Sequence, residues 1–187
     1  MPGMRIEFLF VLHLQEITAF KFITLKLSVM ESAIMVKMIL SAWDTHVERT
    51  SNLIKSLSDD QLSKEIAPGK NTGKYLLGHL VAVHDALNDI MGLAPRMHAD
   101  LDEAFIKQPD KSGLPMPGIS DLRKYWDEVH HKLSASLQSI QPDDFFKRHK
   151  SVSDEDFAKE PNRNKLNVLI SRTNHLSYHF GQMMLLK

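Results

Sequence analysis

Apolar positions recur at three- and four-residue steps along most of this chain, the period of one face of a helix. In the first long helix, from about Ala33 to Leu57, the step is set by Val36, Leu40, Trp43, Val47, Ile54 and Leu57. Ser58 and Asp59 cap a short helix ending near Ile66, and Pro68-Gly69 breaks it. A second long helix starts at Asn71 or Thr72 and runs to about Leu93, with Leu76, His79, Leu80, Val83, Leu87 and Ile90 on its inner stripe. The segment Pro95–Ile119 holds four of the eight prolines and one short helix, Asp100 to Lys107. Ser120 then caps a third long helix with Leu122, Trp126, Val129, Leu133, Leu137 and Ile140 in register, and Pro142 ends it. A polar stretch, Asp143 to Arg163, has little apolar material besides Phe145, Phe146 and Phe157. The last helix runs from about Asn164 to the terminus. The expected architecture is an all-α bundle of four long helices.

The N-terminal residues follow another pattern. Ile6 to Leu14 is the most apolar run, but Glu7 and His13 interrupt it. It is far shorter than the ~20 residues a membrane span needs. Met1 to Arg5 resembles a weak basic leader with no convincing cleavage site after it. Phe20 to Leu27 alternates like a strand, with no second strand to pair with it. The segment reads as an extension packed on the domain, a crude membrane anchor, or sequence upstream of a truer start at Met35 or Met38. Regular helical patterning begins near those methionines and favours the third reading. The expected division is an extension over residues 1–34 and a helical domain over 35–187.

Composition narrows the chemistry. At 187 residues the chain suits one domain plus an appendage, and 43% hydrophobic with 25% charged residues excludes wholesale disorder. Lys+Arg and Asp+Glu both total 23, which argues against an electrostatically driven nucleic-acid partner. The chain has no cysteine. Disulfide scaffolds, thiolate zinc sites, iron–sulfur clusters and a cysteine nucleophile are thereby excluded. The same composition suits a reducing, cytoplasmic setting with no membrane partner. Ten histidines are left to carry metal or general-base chemistry.

The informative group lies on the last helix, in Ser171 to Gln182 (SRTNHLSYHFGQ). His175 and His179 are four apart, so on a helix they stack on one face, near enough to share a metal ion. Such a pair is also compatible with surface or packed histidines. His79, in register with the apolar stripe of the second helix, is the candidate third ligand or, alternatively, a satisfied core residue. His84 lies off that stripe and with Asp85 reads as a polar shoulder, while His46 falls near the core stripe of the first helix. His130 and His131 are expected in solvent. Glu128 and His131 form a single Glu-x-x-His, and a di-iron carboxylate bundle needs two.

Helix geometry adds a condition. His79 lies roughly 12 Å into its helix, and the His175–His179 pair roughly 15 Å from the end of its own. Those levels coincide if the second and fourth helices run antiparallel, which requires a crossover between the second and third helices. The Pro95–Ile119 segment is long enough to provide it.

The segments Tyr75-Leu-Leu-Gly-His79-Leu and His175-Leu-Ser-Tyr-His179-Phe-Gly-Gln182 resemble those of the DinB-like, YfiT-related metal-binding four-helix bundles. The resemblance covers roughly Met38 to Lys187. It implies a four-helix bundle in up-down-down-up order with a long crossover between helices 2 and 3. It also implies one divalent ion per chain, Zn, Ni or Fe, on His79, His175 and His179. Better-understood relatives act with low-molecular-weight thiols, so the resemblance implies a metal-dependent enzyme, a thiol-dependent S-transferase, working on a small-molecule substrate as a homodimer. The residues themselves leave two alternatives open: a metal-dependent hydrolase, and a non-catalytic metal-stabilised bundle acting through partners.

Around the candidate ligands, Gln182 is a hydrogen-bond donor to a ligand's outer side, on the face of His175, or a helix-end polar residue. Arg172, one turn before His175, holds an anionic substrate or makes a surface salt bridge. Asp44, Glu48 and Asp85 are candidate partners for the ligands' second nitrogens. Asn174 and Tyr178 point to the sides. The polar connection Asp143–Arg163 is a candidate lid.

Overall fold

Four helix starts carry a side-chain cap, which satisfies backbone N–H groups that the helix itself leaves unpaired. In the computed structural model, which describes the backbone of residues 3–187 and the side chains of residues 30–187, these caps are Ser58, Thr72, Ser153 and Asn164. They open α2 (Asp59–Leu62), α3 (Gly73–Ile90), α5 (Asp154–Lys159) and α6 (Lys165–Met183). Ser58 and Gln61 close a reciprocal capping box. The first helix, α1, spans Gly3–Ser56, so the helix expected from about Ala33 is its C-terminal part. The stretch 20–27, expected to alternate as a strand, is helical and lies within α1, where no second strand is needed to pair it. Which side chains of the apolar run 6–14 are buried lies outside the described residues. The remaining long helix, α4, spans Ile119–Ser139 and follows Gly118, which has no side chain to offer. Ser120, the expected cap, falls inside its first turn, where Asp121 supplies the favourable negative charge instead.

The protein is all-helical; the described residues contain no strand, only two isolated bridges. No described helix is long and apolar enough to cross a membrane. Of the long helices, α3 packs against α4 and α6, and α1 packs against α6. The core between them joins Trp43 of α1, Leu76, Leu80 and Leu87 of α3, Trp126, Val129 and Leu133 of α4, and Leu169 and Leu176 of α6. Each such side chain contributes about 1.5–3 kcal/mol on burial. These are largely the residues of the predicted stripes.

The connection between α3 and α4 is strapped down at three levels. Asp85, fully buried, accepts hydrogen bonds from the backbone N–H groups of Met97 and His98 at 2.9 and 3.0 Å and pairs with Arg96 at 3.2 Å. Arg96 also pairs with Asp102. A short 3₁₀ turn at Ala99–Leu101 and a π turn at Glu103–Lys107 follow, where one helix was expected. The ring of Phe105 drops from that π turn against α3 at Gly78. A Cβ at Gly78 would lie 2.2 Å from the ring, so only glycine permits the approach. Farther on, the Tyr75 hydroxyl donates to the Gln108 carbonyl at 2.8 Å.

The polar stretch before α6 is more ordered than its composition suggests. A 3₁₀ turn at Pro142–Phe146 packs against α1 and α6 and buries Phe145, and Val152 is also buried. Arg148 holds Asp154 and the Val152 carbonyl. The candidate lid is therefore pinned to the body at several points.

Candidate metal centre

His79 sits in the middle of α3, and His175 and His179 sit one turn apart on α6. The three rings converge. The Nε2 atom of His175 lies 3.1 Å from that of His79 and 3.1 Å from that of His179. All three ligand atoms lie within 4.8 Å of one another. Two nitrogens on one zinc ion at about 2.0–2.1 Å sit about 3.3 Å apart at tetrahedral angles and about 2.9 Å apart at right angles. Both spacings to His175 fall between those limits and the third nitrogen pair lies within 4.8 Å, a cluster close enough to hold a single ion.

Hydrogen bonding at the outer nitrogens decides what the inner ones offer. His79 Nδ1 lies 2.7 Å from the Phe105 carbonyl oxygen. A carbonyl only accepts, so Nδ1 carries the hydrogen and Nε2 of the neutral ring has a bare lone pair. His179 Nδ1 donates in the same way to Gln182 Oε1 at 2.7 Å, which leaves its Nε2 bare as well. Two lone pairs thus face His175 Nε2, which has at most one hydrogen to give. One of the two contacts stays unsatisfied without a cation among them.

Protonation does not resolve the conflict, because all three rings are held neutral. Burial is the main cause of the lowered pKa of each. For His175, burial together with the neighbouring His179 and His79 and the Arg172 charge brings the value down to about 4. Neutral imidazole is the form that binds metal.

Gln182, expected as a donor on the face of His175, instead accepts from His179 Nδ1 and bridges that ring to the Tyr178 hydroxyl, to which its amide nitrogen donates at 3.1 Å. The expected carboxylates do not serve the cluster. Asp85 is committed to the crossover. Asp44 and Glu48 line a separate groove between α1 and the end of α4. The outer partner of His79 is instead a backbone carbonyl, and His175 Nδ1 is buried with no hydrogen-bond partner. Tyr178 and Asn174 are exposed, as expected for side positions, although the Tyr178 ring packs edge-on against His179. Arg172 does not make a surface salt bridge. Its side chain is half-buried and, among the described residues, has no hydrogen bond or ion pair, with Nε wholly shielded from solvent.

Beneath the cluster lies a second pair of histidines that the helical wheel placed outside. His130, expected in solvent, is buried; its Nδ1 donates to the Trp126 carbonyl at 2.8 Å. Its Nε2 therefore accepts from Nδ1 of His84, also at 2.8 Å, and His84 is fully buried beside Trp43 and Trp126. His131 is exposed, as expected.

The DinB superfamily model matches residues 42–183. The chain belongs to the DinB superfamily. Among solved structures, this DinB-superfamily chain is similar to a DinB-like protein from Bacillus cereus, with 23% identity and a TM-score of 0.58. The match covers 79% of this chain and 87% of that one. At that identity the likeness is one of fold. No curated protein matches this chain. Within this DinB-superfamily chain, all three converging histidines lie inside the matched residues.

Proposed function

We propose that this protein is a metal-dependent enzyme that holds one divalent ion on His79, His175 and His179. In this reading it joins a small-molecule substrate to a low-molecular-weight thiol as an S-transferase. One observation carries the metal: Nε2 of His175 lies 3.1 Å from Nε2 of both His79 and His179, all three lie within 4.8 Å of one another, and at most one hydrogen serves both contacts. Imidazole suits Zn²⁺, Ni²⁺ and Fe²⁺ alike. An ion bound by three imidazoles supplies a Lewis acid with open positions for substrate. The chain's own residues orient it. The Phe105 carbonyl sets the ring of His79, and Gln182 sets that of His179, each fixing the tautomer that presents Nε2. With no cysteine in the chain, the thiol has to arrive as a cosubstrate. The up-down-down-up order belongs to the same reading, supported by the common level of His79 on α3 and the histidine pair on α6.

The test is calorimetric titration of Zn²⁺ and Ni²⁺ into metal-free protein, followed by turnover of thiol with an electrophile. Wild type should take up about one ion per chain, and His179→Ala should lose tight uptake while keeping its helix content. A wild-type chain that takes up neither ion contradicts the reading. Unfolding of His179→Ala would make the ion structural rather than catalytic.

A further inference from the structure

Next to the histidine cluster, a cleft of about 420 Å³ opens between the start of α6, the end of α3 and the pinned connection before α6. Its polar lining includes Arg163, Arg172, His149, Ser151, Asn167 and Ser171, and among the described residues no carboxylate lines it. Arg172 is the telling residue. Burial lowers its pKa, and among the described residues no acidic side chain offsets the loss of solvent. A guanidinium partly withdrawn from water with no counter-charge is a costly arrangement, and proteins usually keep such groups paired. The other groups on the cleft point the same way. Among the described residues, Arg163 pairs with an acid only at 4.0 Å, at the exposed Glu160. His149 Nδ1 is buried without a partner. At the N-terminus of α6 the Asn164 side chain accepts from the Asn167 N–H and the Lys147 carbonyl from the Lys165 N–H, so the positive character of the cleft comes mainly from the arginines. The charge of Arg172 also reaches His79 and His175, which places one wall of the cleft beside the cluster.

We propose that this cleft is an anion subsite, in which Arg172 and Arg163 grip a carboxylate or phosphate on a small-molecule substrate whose other end reaches the three histidines. The link to chemistry at the histidines rests on the proposed function above; the anion site itself does not. Arg172, flanked by both features, is a positioning residue for the substrate's charged end.

The experiment titrates inorganic phosphate and, separately, succinate into the full chain at low ionic strength, before and after chelator treatment. Metal uptake is measured in parallel. Binding at millimolar concentration is expected, weakened about tenfold or more in Arg172→Gln, since a charge-assisted contact is lost. Arg163→Gln, at a more exposed position, should weaken the same anion without any question of folding. Both variants should still take up metal, and His179→Ala should still bind the anion. Saturation by phosphate alone identifies a phosphorylated substrate, and saturation by succinate alone a carboxylate; either supports the site. Failure of both anions to bind, or equal binding by wild type and both arginine variants, overturns it. Anion binding without metal uptake would leave the subsite standing and remove the metal reading.

Discussion

Gly78→Ala should damage both the core and the histidine cluster, because one side chain connects them. The added methyl would lie 2.2–2.5 Å from three carbons of the Phe105 ring. Ordinary contact begins near 3.4 Å, so the ring must retreat by about 1 Å. Phe105 is fully buried and packed against Tyr75 with ring centroids 5.8 Å apart, which leaves it little room. Overpacking of this kind costs about 1–3 kcal/mol, and the absence of space puts this site at the upper end. The helix-propensity gain of alanine over glycine returns about 1 kcal/mol. The net loss is about 2 kcal/mol, a fall in melting temperature of about 4–8 °C for a chain of this size. The displaced residue is also the one whose carbonyl orients His79. Metal affinity should therefore fall about 10- to 100-fold, as when an outer hydrogen-bond partner is removed. Gly181→Ala is the control. It lies exposed on α6 with nothing within 4 Å of the added methyl, so the same change there should stabilise by up to about 1 kcal/mol. Thermal melts and metal titrations on the two variants decide the matter. A Gly78→Ala protein that melts at or above wild type would refute the packing argument.

Leu169→Ala, at a fully buried position on α6, should cost about 2–5 kcal/mol in urea unfolding while leaving metal uptake intact. Gln182→Leu should leave the melt nearly unchanged and weaken metal binding about 10- to 100-fold, because His179 loses the partner of its Nδ1. Stability should fall in acid. The pKa of His130 is lowered from 6.5 to about 4 by burial, and that of His84 lies well below its usual value for the same reason. Their contribution is complete above pH 6.5 and is lost as pH falls through the folded values, at up to about 1.4 kcal/mol per pH unit for each ring. Urea midpoints between pH 7 and pH 4 measure that slope, and His84→Leu combined with His130→Leu should flatten it.

The long helices were legible because each has one apolar face meeting one core. Trp43, Leu80, Trp126 and Leu169 lie where a 3.6-residue period puts them. The caps at Ser58, Thr72 and Asn164 were legible for a local reason, a side chain reaching an N–H group three residues ahead. The histidine pair was visible from its four-residue spacing, and His79 from its register. The wheel failed at His84 because α3 is buried on nearly all sides, so a residue off the main stripe still lies inside. His130 did leave a signal, since it follows Trp126 by four residues and its Nδ1 reaches back to that carbonyl. The Phe105 carbonyl and the commitment of Asp85 to the crossover depend on contacts distant in sequence and carry no local pattern. The turn at 142–146 and α5 are too short to establish a period.

The central claim is that the three Nε2 atoms share one divalent ion. Anomalous diffraction at the zinc edge, from crystals of zinc-loaded protein, tests it most directly. A single strong peak about 2.0–2.1 Å from Nε2 of His79, His175 and His179 is the predicted result. No peak within bonding distance of all three, or a peak held by other residues, would contradict it.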